Sequence, residues 1–194
     1  MADRNSFNIM NFLTEPLASS VTVDGKSYPI NTDFRVWLRF YELVTGKGVD
    51  YRSIMEGIIL CYKGGEIPPS FFKASEAMWD FFLGEMEKGE KKSAAKGKKI
   101  FDFTQDAGLI YSSFLSDYGI DLLREDMHWH KFLTLFKNLS PDSAFMRVVA
   151  IRSINPADIK DASRRSEIVK KQRVFALRSE VNEDSIADEL TKII

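Results

Sequence analysis

The sequence contains a single cysteine, Cys61, in 194 residues. A single cysteine excludes a disulfide within the chain and is typical of a reducing compartment. The longest apolar runs, such as residues 58–62, fall far short of the roughly 20 residues that a membrane-spanning helix needs. The formal net charge of −1 gives no overall attraction to nucleic acid or to anionic membranes. Because the first residues also lack the pattern of a signal peptide, we expect a soluble cytoplasmic protein without a membrane partner.

Aromatic side chains, by contrast, are plentiful. The sequence has 15 Phe and three Trp residues, which supply ample bulk for a core. Burial of apolar area contributes about 25 cal/mol per Å2, so each buried aromatic ring adds a few kcal/mol to stability. A chain of 194 residues with this content can bury a core of its own. We therefore expect a folded globular protein.

A short hairpin is predicted at about residues 20–30. Asp24-Gly25 is a strong turn signal, because a type I′ turn needs positive φ at both central positions. β-prone residues flank this turn on both sides, and Pro29 ends the second strand because it lacks a backbone donor.

The rest of the chain shows helical periodicity. Phe34, Trp37 and Tyr41 recur at i, i+3 and i+7 directly after Asp33, a residue that can cap a helix and complement its dipole. Similar rows, separated by glycine or proline, predict a mainly α-helical fold in which a compact bundle of about six helices follows the hairpin. The expected starts of the later helices are Asp50, Pro68-Pro69, Thr104, Asp121, Ser143 and Asn155-Pro156.

The central helix is expected to begin at Asp121, because two apolar rows with a spacing of seven residues follow it. On such a helix His128 and His130 would point about 200° apart, so both could not bind one metal ion. No cysteine pair and no carboxylate at matching spacing completes a site. We therefore interpret both histidines as structural or exposed, and we expect no metal and no cofactor.

Patterns typical of catalysis are missing as well. Cys61 lies in the apolar stretch 58–62, which is typical of an inert buried thiol. The carboxylates lie on polar faces between the apolar rows. The glycine pairs at 46 and 48 and at 64 and 65 lack the flanking residues of a phosphate-binding loop. We therefore expect a protein that is not an enzyme.

Residues 88–99 form a basic stretch with six lysines, two glycines and no apolar periodicity. We expect a mobile loop here, within a single helical domain over residues 1–179. The loop is the best candidate for nucleic-acid binding, and the last helix adds cations at 160–173. However, the loop lacks aromatic residues for stacking and arginine for reading bases. Residues 180–194 are acidic and amphipathic, and we expect a flexible or short-helical tail.

The aromatic rows raise the question of whether a small helical domain can bury all of them at once. Most are interpreted as core, but an excess would form a groove or a helix face for a partner or for self-association. The candidate partner-binding residues are Trp37 with Tyr41, Phe72 with Trp79, and Trp129 with Phe132.

Two blocks of the sequence resemble one protein family. The amino-terminal block comprises residues 11–17 and 21–40, and the central block comprises residues 110–114, 118–122, 127–129 and 131–132. In these blocks the chain resembles the phage protein family named for gene product fifteen of siphophages that infect Gram-positive bacteria. Ile151-Arg152, Lys160 and the basic last helix also fit the layout of that family.

The resemblance implies a tail assembly chaperone, encoded between the major tail protein and the tape measure protein. Such a protein is expected to bind the tape measure protein, to help recruit subunits of the major tail protein, and to self-associate. It implies a location in the host cytoplasm, absence from the mature virion and no catalytic residues. The alternatives are a structural tail completion or connector protein, and a nucleic-acid-binding regulator that uses residues 88–99.

Overall fold

A two-stranded hairpin precedes a series of helices in the computed structural model of the protein, as the sequence predicts. The structure describes residues 14–46, 49–84 and 99–178. The predicted basic loop, apart from Lys99, and the predicted tail at 180–194 lie outside the described residues. None of the helices in the described ranges is both long and apolar enough to cross a membrane.

The described residues group into two compact units. Unit 1 comprises Met1–Ala95 and Asp126–Leu135, and unit 2 comprises Lys96–Glu125 and Phe136–Ile194, each in its described parts. The expectation of a single domain over residues 1–179 stays a prediction.

The hairpin belongs to unit 1 and consists of β1, Ser20–Val23, and β2, Lys26–Pro29, which pair in antiparallel orientation. Asp24 has a φ of 50° and Gly25 a φ of 77°, the positive values that a type I′ turn requires. Tyr28 is buried while its neighbours in β2 are exposed, so one face of the hairpin packs against the unit. The predicted hairpin, its turn and its end at Pro29 are confirmed.

Side chains at the helix starts explain where the helices of unit 1 begin. Across both units the described helices are α1 Phe34–Thr45, α2 Tyr51–Cys61, α3 Phe71–Leu83, α4 Ala107–Tyr118, α5 Trp129–Lys137, α6 Ala144–Ser153 and α7 Ala162–Val174. Asp33, Asp50 and Ser70 accept hydrogen bonds from backbone N–H groups in the first turns of α1, α2 and α3. Each such cap stabilises its helix by about 1 kcal/mol. The three predicted starts in this part of the chain are confirmed.

The helix starts of unit 2 agree with the sequence in part. Ser143 caps α6, as predicted. α4 begins later than Thr104, because the Asp102 carboxylate accepts the Thr104 N–H and holds this segment in a turn. Asn155 caps only a short 3-10 turn, and α7 starts after a second cap, Asp161.

A buried ion pair joins three helices of unit 2. The Arg152 guanidinium on α6 makes hydrogen bonds of 2.7 and 2.9 Å with the carboxylate of Asp106, the residue before α4. The same guanidinium donates a 2.6 Å hydrogen bond to the carbonyl oxygen of Phe175, directly after α7. Both members of the pair are buried. Because bidentate hydrogen bonds fix the orientation of both groups, this contact sets how the ends of these helices meet.

The predicted start of the central helix at Asp121 is wrong, because α5 begins only at Trp129. Asp121 closes a turn with its side-chain and carbonyl oxygens. The chain then runs extended beside the segment before α1. The Met127 carbonyl accepts from the Phe34 N–H at 2.9 Å, and the Trp129 N–H donates to the Thr32 carbonyl at 2.7 Å. Backbone groups that pair with a distant segment cannot also continue a helix.

Candidate partner-binding surface

Five of the six aromatic residues predicted to bind a partner lie in one cluster of unit 1, arranged around Phe82. The rings in contact with Phe82 include those of Phe40, Trp37, Tyr41, Trp79 and Trp129, at centroid distances of 5.1 to 6.4 Å. Phe132 joins the cluster through the ring of Trp129, 5.7 Å away. Each such pair contributes about 0.5–1.5 kcal/mol beyond its buried area, so the cluster stabilises unit 1.

Burial separates these five residues into core and rim. Trp37, Trp129 and Phe132 are buried, whereas Tyr41 and Trp79 are half-buried. A partner could reach the three core rings only if unit 1 opened, but it could touch the rim residues directly. Partner contact through any of the five stays a prediction.

The two buried indoles satisfy their polar atoms within unit 1. Trp37 Nε1–H donates to the Asn31 carbonyl at 2.7 Å, and Trp129 Nε1–H donates to the Phe82 carbonyl at 2.9 Å. A buried N–H without a partner would cost about 1–3 kcal/mol. These hydrogen bonds therefore explain why tryptophan, rather than phenylalanine, suits both positions.

His128 and His130 connect three segments of unit 1. His128 Nδ1 accepts the backbone N–H of His130 at 3.1 Å and so caps the start of α5, while its Nε2–H donates to the Ala18 carbonyl at 2.9 Å. His130 Nε2–H donates to the Phe81 carbonyl in the last turn of α3, at 2.8 Å. The helical geometry expected for the pair does not hold, because His128 precedes α5 and the two rings lie 5.2 Å apart. Both rings are committed to contacts that hold the fold.

Burial sets the protonation state of His128, and its hydrogen bonds set which ring nitrogen carries the proton. Burial lowers its pKa from the ordinary value of 6.5, and the hydrogen bond to the Ala18 carbonyl opposes this effect only in part. The ring is therefore neutral at pH 7, with its proton on Nε2 and a lone pair on Nδ1. Protonation would place a second donor opposite the His130 N–H and abolish the cap.

Cys61 is fully buried at the end of α2. Burial raises the pKa of its thiol to about 12, so the sulfur stays protonated near neutral pH. Since the thiolate is the nucleophile, this thiol is unsuited to nucleophilic attack. In the part of the chain that the structure describes, no group of three or more His, Cys, Asp or Glu residues is placed to hold a metal ion.

Phe72 differs from the other five predicted residues because 76% of its surface is exposed. It lies in the first turn of α3, next to Phe71, whose ring packs 6.0 Å from the ring of Tyr51. Tyr51 opens α2 and is itself 67% exposed. The first turns of α2 and α3 therefore present aromatic side chains to solvent.

An apolar stripe continues from Tyr51 along α2. Tyr51, Met55 and Ile59 follow at i, i+4 and i+8, within an arc of about 80° around the helix. Met55 is half-buried and Ile59 is 43% exposed. We call these three residues, with Phe71 and Phe72, the apolar surface of unit 1.

The sequence reasoning missed Tyr51 and Ile59. Ile54 and Ile58 form a second apolar row beside this stripe, and Ile58 is fully buried. Two adjacent apolar rows on an 11-residue helix exceed what one core face needs. This excess is the sequence pattern that could have predicted an exposed apolar stripe at Tyr51 and Ile59.

These features define a class: a small, mainly helical protein with a capped aromatic core and an outward-facing apolar surface. A comparison with protein families identifies the chain more closely. The family described as Bacteriophage Gp15 protein matches residues 13–177, which is most of the chain. The protein therefore belongs to this bacteriophage family, and the resemblance stated above is confirmed. Comparisons with curated proteins and with solved structures found no match.

Proposed function

We propose that the protein is a tail assembly chaperone that binds the tape measure protein and helps recruit tail tube subunits during assembly of a long phage tail. The family match over residues 13–177 carries this proposal, since it suggests a protein of phage morphogenesis or structure. In this proposal the protein acts in the host cytoplasm, has no enzymatic activity and leaves before the virion is complete.

The apolar surface of unit 1 supports the proposal. A tape measure protein presents long apolar helical stripes, which would aggregate without cover. A chaperone needs an accessible apolar surface to hold such a helix, with charged neighbours that keep the complex in solution. Tyr51, Ile59 and Phe72 supply exposed apolar area, while Arg52 and Glu56 are exposed on the same helix as the stripe.

Co-expression with the tape measure protein of the same phage tests the proposal. We expect the two proteins to purify together and the tape measure protein to stay soluble only in the presence of the chaperone. Replacing Tyr51 and Phe72 by serine should reduce the recovered complex. Glu76→Ala, an exposed change one turn further along α3, serves as the matched control.

The composition of purified mature tails separates this function from its main alternative. A chaperone should be absent from them. Recovery of the protein in mature tails at a fixed ratio to the tail tube subunits would contradict the proposal and favour a structural tail completion or connector protein.

A further inference from the structure

α7 is a helix without a buried residue. Five of its 13 residues are cationic and one is acidic, so the helix carries a formal excess of four positive charges, 5 − 1. Its larger apolar residues are Ile168 and Val169, which are half-buried, and Val174, which is exposed, so burial holds the helix only weakly and its charged surface depends on ion pairs or on a partner. The cations are Arg164, Arg165, Lys170, Lys171 and Arg173, and the acidic residue is Glu167.

Few of these cations have a negative partner. The Lys171 ammonium lies 2.6 Å from the Glu167 carboxylate, and this is the one ion pair of the helix among the described residues. Arg165 donates to the Ile159 carbonyl oxygen, so its guanidinium is held by the backbone. Lys170 and Arg173 are exposed and form no ion pair within the described part of the chain.

The contacts of α7 define which side faces the rest of unit 2. Gln172 Nε2 donates to the carbonyl oxygens of Ile151 and Ile154, at 2.9 and 2.7 Å. At 100° per residue, Lys170 lies about 160° around the helix from Gln172. Val174, which is 79% exposed, also lies about 160° from Gln172, and Arg173 lies about 100° from it on the adjoining flank, so none of the three faces α6. We call these three residues the outward face of α7.

The final residues of the chain have the complementary composition. Residues 180–194 contain five carboxylates and one lysine, a formal charge of −4 that mirrors the +4 of α7. Ile186, Leu190 and Ile193 recur at i, i+4 and i+7, a spacing that predicts one apolar row on a helix. Such a segment can offer carboxylates to the cations and an apolar row to Val174.

The position where this segment begins brings it within reach. Leu177 is 2% exposed, and the Arg178 N–H donates to Gln105 Oε1 at 2.6 Å, so the chain is anchored just after α7 ends. The 13 residues of α7 span about 20 Å, and the 15 residues of 180–194 span about 22 Å as a helix or up to roughly 50 Å when extended. The segment is long enough to fold back along the whole helix.

We propose that the outward face of α7 is the docking site for residues 180–194 of the same chain. The carboxylates of the segment lie against Lys170 and Arg173, and its apolar row covers Val174. The segment shields the basic face and competes with any other acidic ligand for it. This inference is independent of the proposed chaperone function.

Hydrogen exchange of the full-length protein, followed by mass spectrometry of peptides from residues 180–194, tests the docking. We expect exchange at least about tenfold slower than that of the same peptide alone, and loss of this protection in 0.5 M salt. Lys170→Glu with Arg173→Glu should abolish the protection. Adding Asp188→Lys with Glu189→Lys in the same chain should restore it, because the charges then match again.

A control variant separates the docking from a general charge effect. Lys137→Glu with Arg147→Glu changes the net charge equally at exposed positions of unit 2, and it should leave the protection intact. Circular dichroism checks that each variant folds. Asp188→Asn with Glu189→Gln removes two carboxylates of the segment without any change to α7, and it should also reduce the protection.

Three outcomes would overturn the proposal. One is exchange of residues 180–194 at the rate of the free peptide. Another is protection that grows with protein concentration, which would assign the face to the segment of a second copy. The third is retention of the full-length protein on duplex DNA that is lost in Lys170→Glu with Arg173→Glu and unaffected by removal of residues 180–194, which would assign the face to nucleic acid.

Discussion

The Nε1–H of Trp129 donates a 2.9 Å hydrogen bond to the carbonyl oxygen of Phe82, in the last turn of α3. The same indole ring stacks on the ring of Phe82, with centroids 5.1 Å apart and planes 15° from parallel. One side chain therefore satisfies a carbonyl group at a helix end and covers the ring beside it. Carbonyl groups at a helix end have no partner within the helix, so this contact joins α3 to α5 in unit 1.

Trp129→Phe removes the donor and leaves a gap in the cluster. We expect the free energy of unfolding to fall by about 2–4 kcal/mol, because a buried carbonyl loses its hydrogen bond and a cavity forms. Urea unfolding followed by circular dichroism measures the change. Trp79→Phe is the matched control at the half-buried rim, and an equal loss in both variants would contradict the role assigned to Trp129.

His128→Ala should lower the free energy of unfolding by about 1–3 kcal/mol, because α5 loses its cap and Ala18 its donor. The native protein should also lose stability as the pH falls below 6.5. In that range the unfolded chain binds a proton on His128, whereas the folded chain, with its lowered pKa, does not. Above pH 6.5 this contribution is fully present.

His128→Asn separates the two effects. Asparagine offers a cap acceptor but does not titrate, so this variant should recover part of the stability lost in His128→Ala. Its stability should fall less than that of the wild type between pH 7 and pH 5. A slope identical to that of the wild type would show that His128 does not control this dependence.

Arg152→Met should destabilise unit 2 by about 3–5 kcal/mol, because it leaves the Asp106 carboxylate buried without its partner. The double change Asp106→Leu with Arg152→Met should cost less than Arg152→Met alone, since no buried charge remains. Lys171→Met, which breaks the exposed pair with Glu167, should cost less than about 1 kcal/mol. Thermal unfolding measures the stability of the three variants. A double variant that is less stable than Arg152→Met would refute the argument.

Two glycines, one in the first turn of α4 and one directly after its end, should respond to alanine in opposite directions. Gly119 ends the helix with a φ of 67°, a conformation that alanine adopts only with strain, so Gly119→Ala should cost about 1 kcal/mol. Gly108 lies inside the helix, and a Cβ atom added there meets no other atom within 4 Å. Gly108→Ala should therefore stabilise the protein by about 0.4–1 kcal/mol. Chemical unfolding of both variants checks the opposite signs.

Phe72→Ala should leave the free energy of unfolding within about 0.5 kcal/mol of the wild type, because the side chain is exposed. If Phe72 is a central contact for the tape measure protein, its affinity should fall about 30-fold, equivalent to 2 kcal/mol. Titration calorimetry with the tape measure protein measures the affinity. Unchanged affinity in both Phe72→Ala and Tyr51→Ala would show that the tape measure protein binds at a different surface.

Local sequence signals predicted the hairpin and most helix starts. Asp24-Gly25 forms the predicted turn, and Asp33 and Asp50 cap the predicted helices, because each depends on atoms only a few residues away. The same reasoning predicted the wrong start for the central helix. Its apolar spacing was helical, but backbone hydrogen bonds to residues 32–34 hold residues 127–129, and no local pattern encodes a partner so distant in the chain.

For the candidate surface, too, the local sequence predicted one part and the tertiary packing decided the rest. Periodicity identified Trp37, Trp129 and Phe72 as aromatic residues of helix faces, but it could not tell which of them point inward. Only the packing around Phe82 buries the two tryptophans and leaves Phe72 in solvent. Burial depends on neighbours from several segments, so a single helix cannot determine it.

The sequence by itself determined the family, the helical class and the local caps, because motifs, composition and short-range hydrogen bonds are written in neighbouring residues. The tertiary structure alone decided the roles of the histidines and the pairing of Arg152 with Asp106. The His128 ring bonds the Ala18 carbonyl, which lies 110 residues away, and Arg152 pairs with a carboxylate 46 residues away. Contacts over such separations exist only once the chain has folded, and their energies depend on the burial that folding creates.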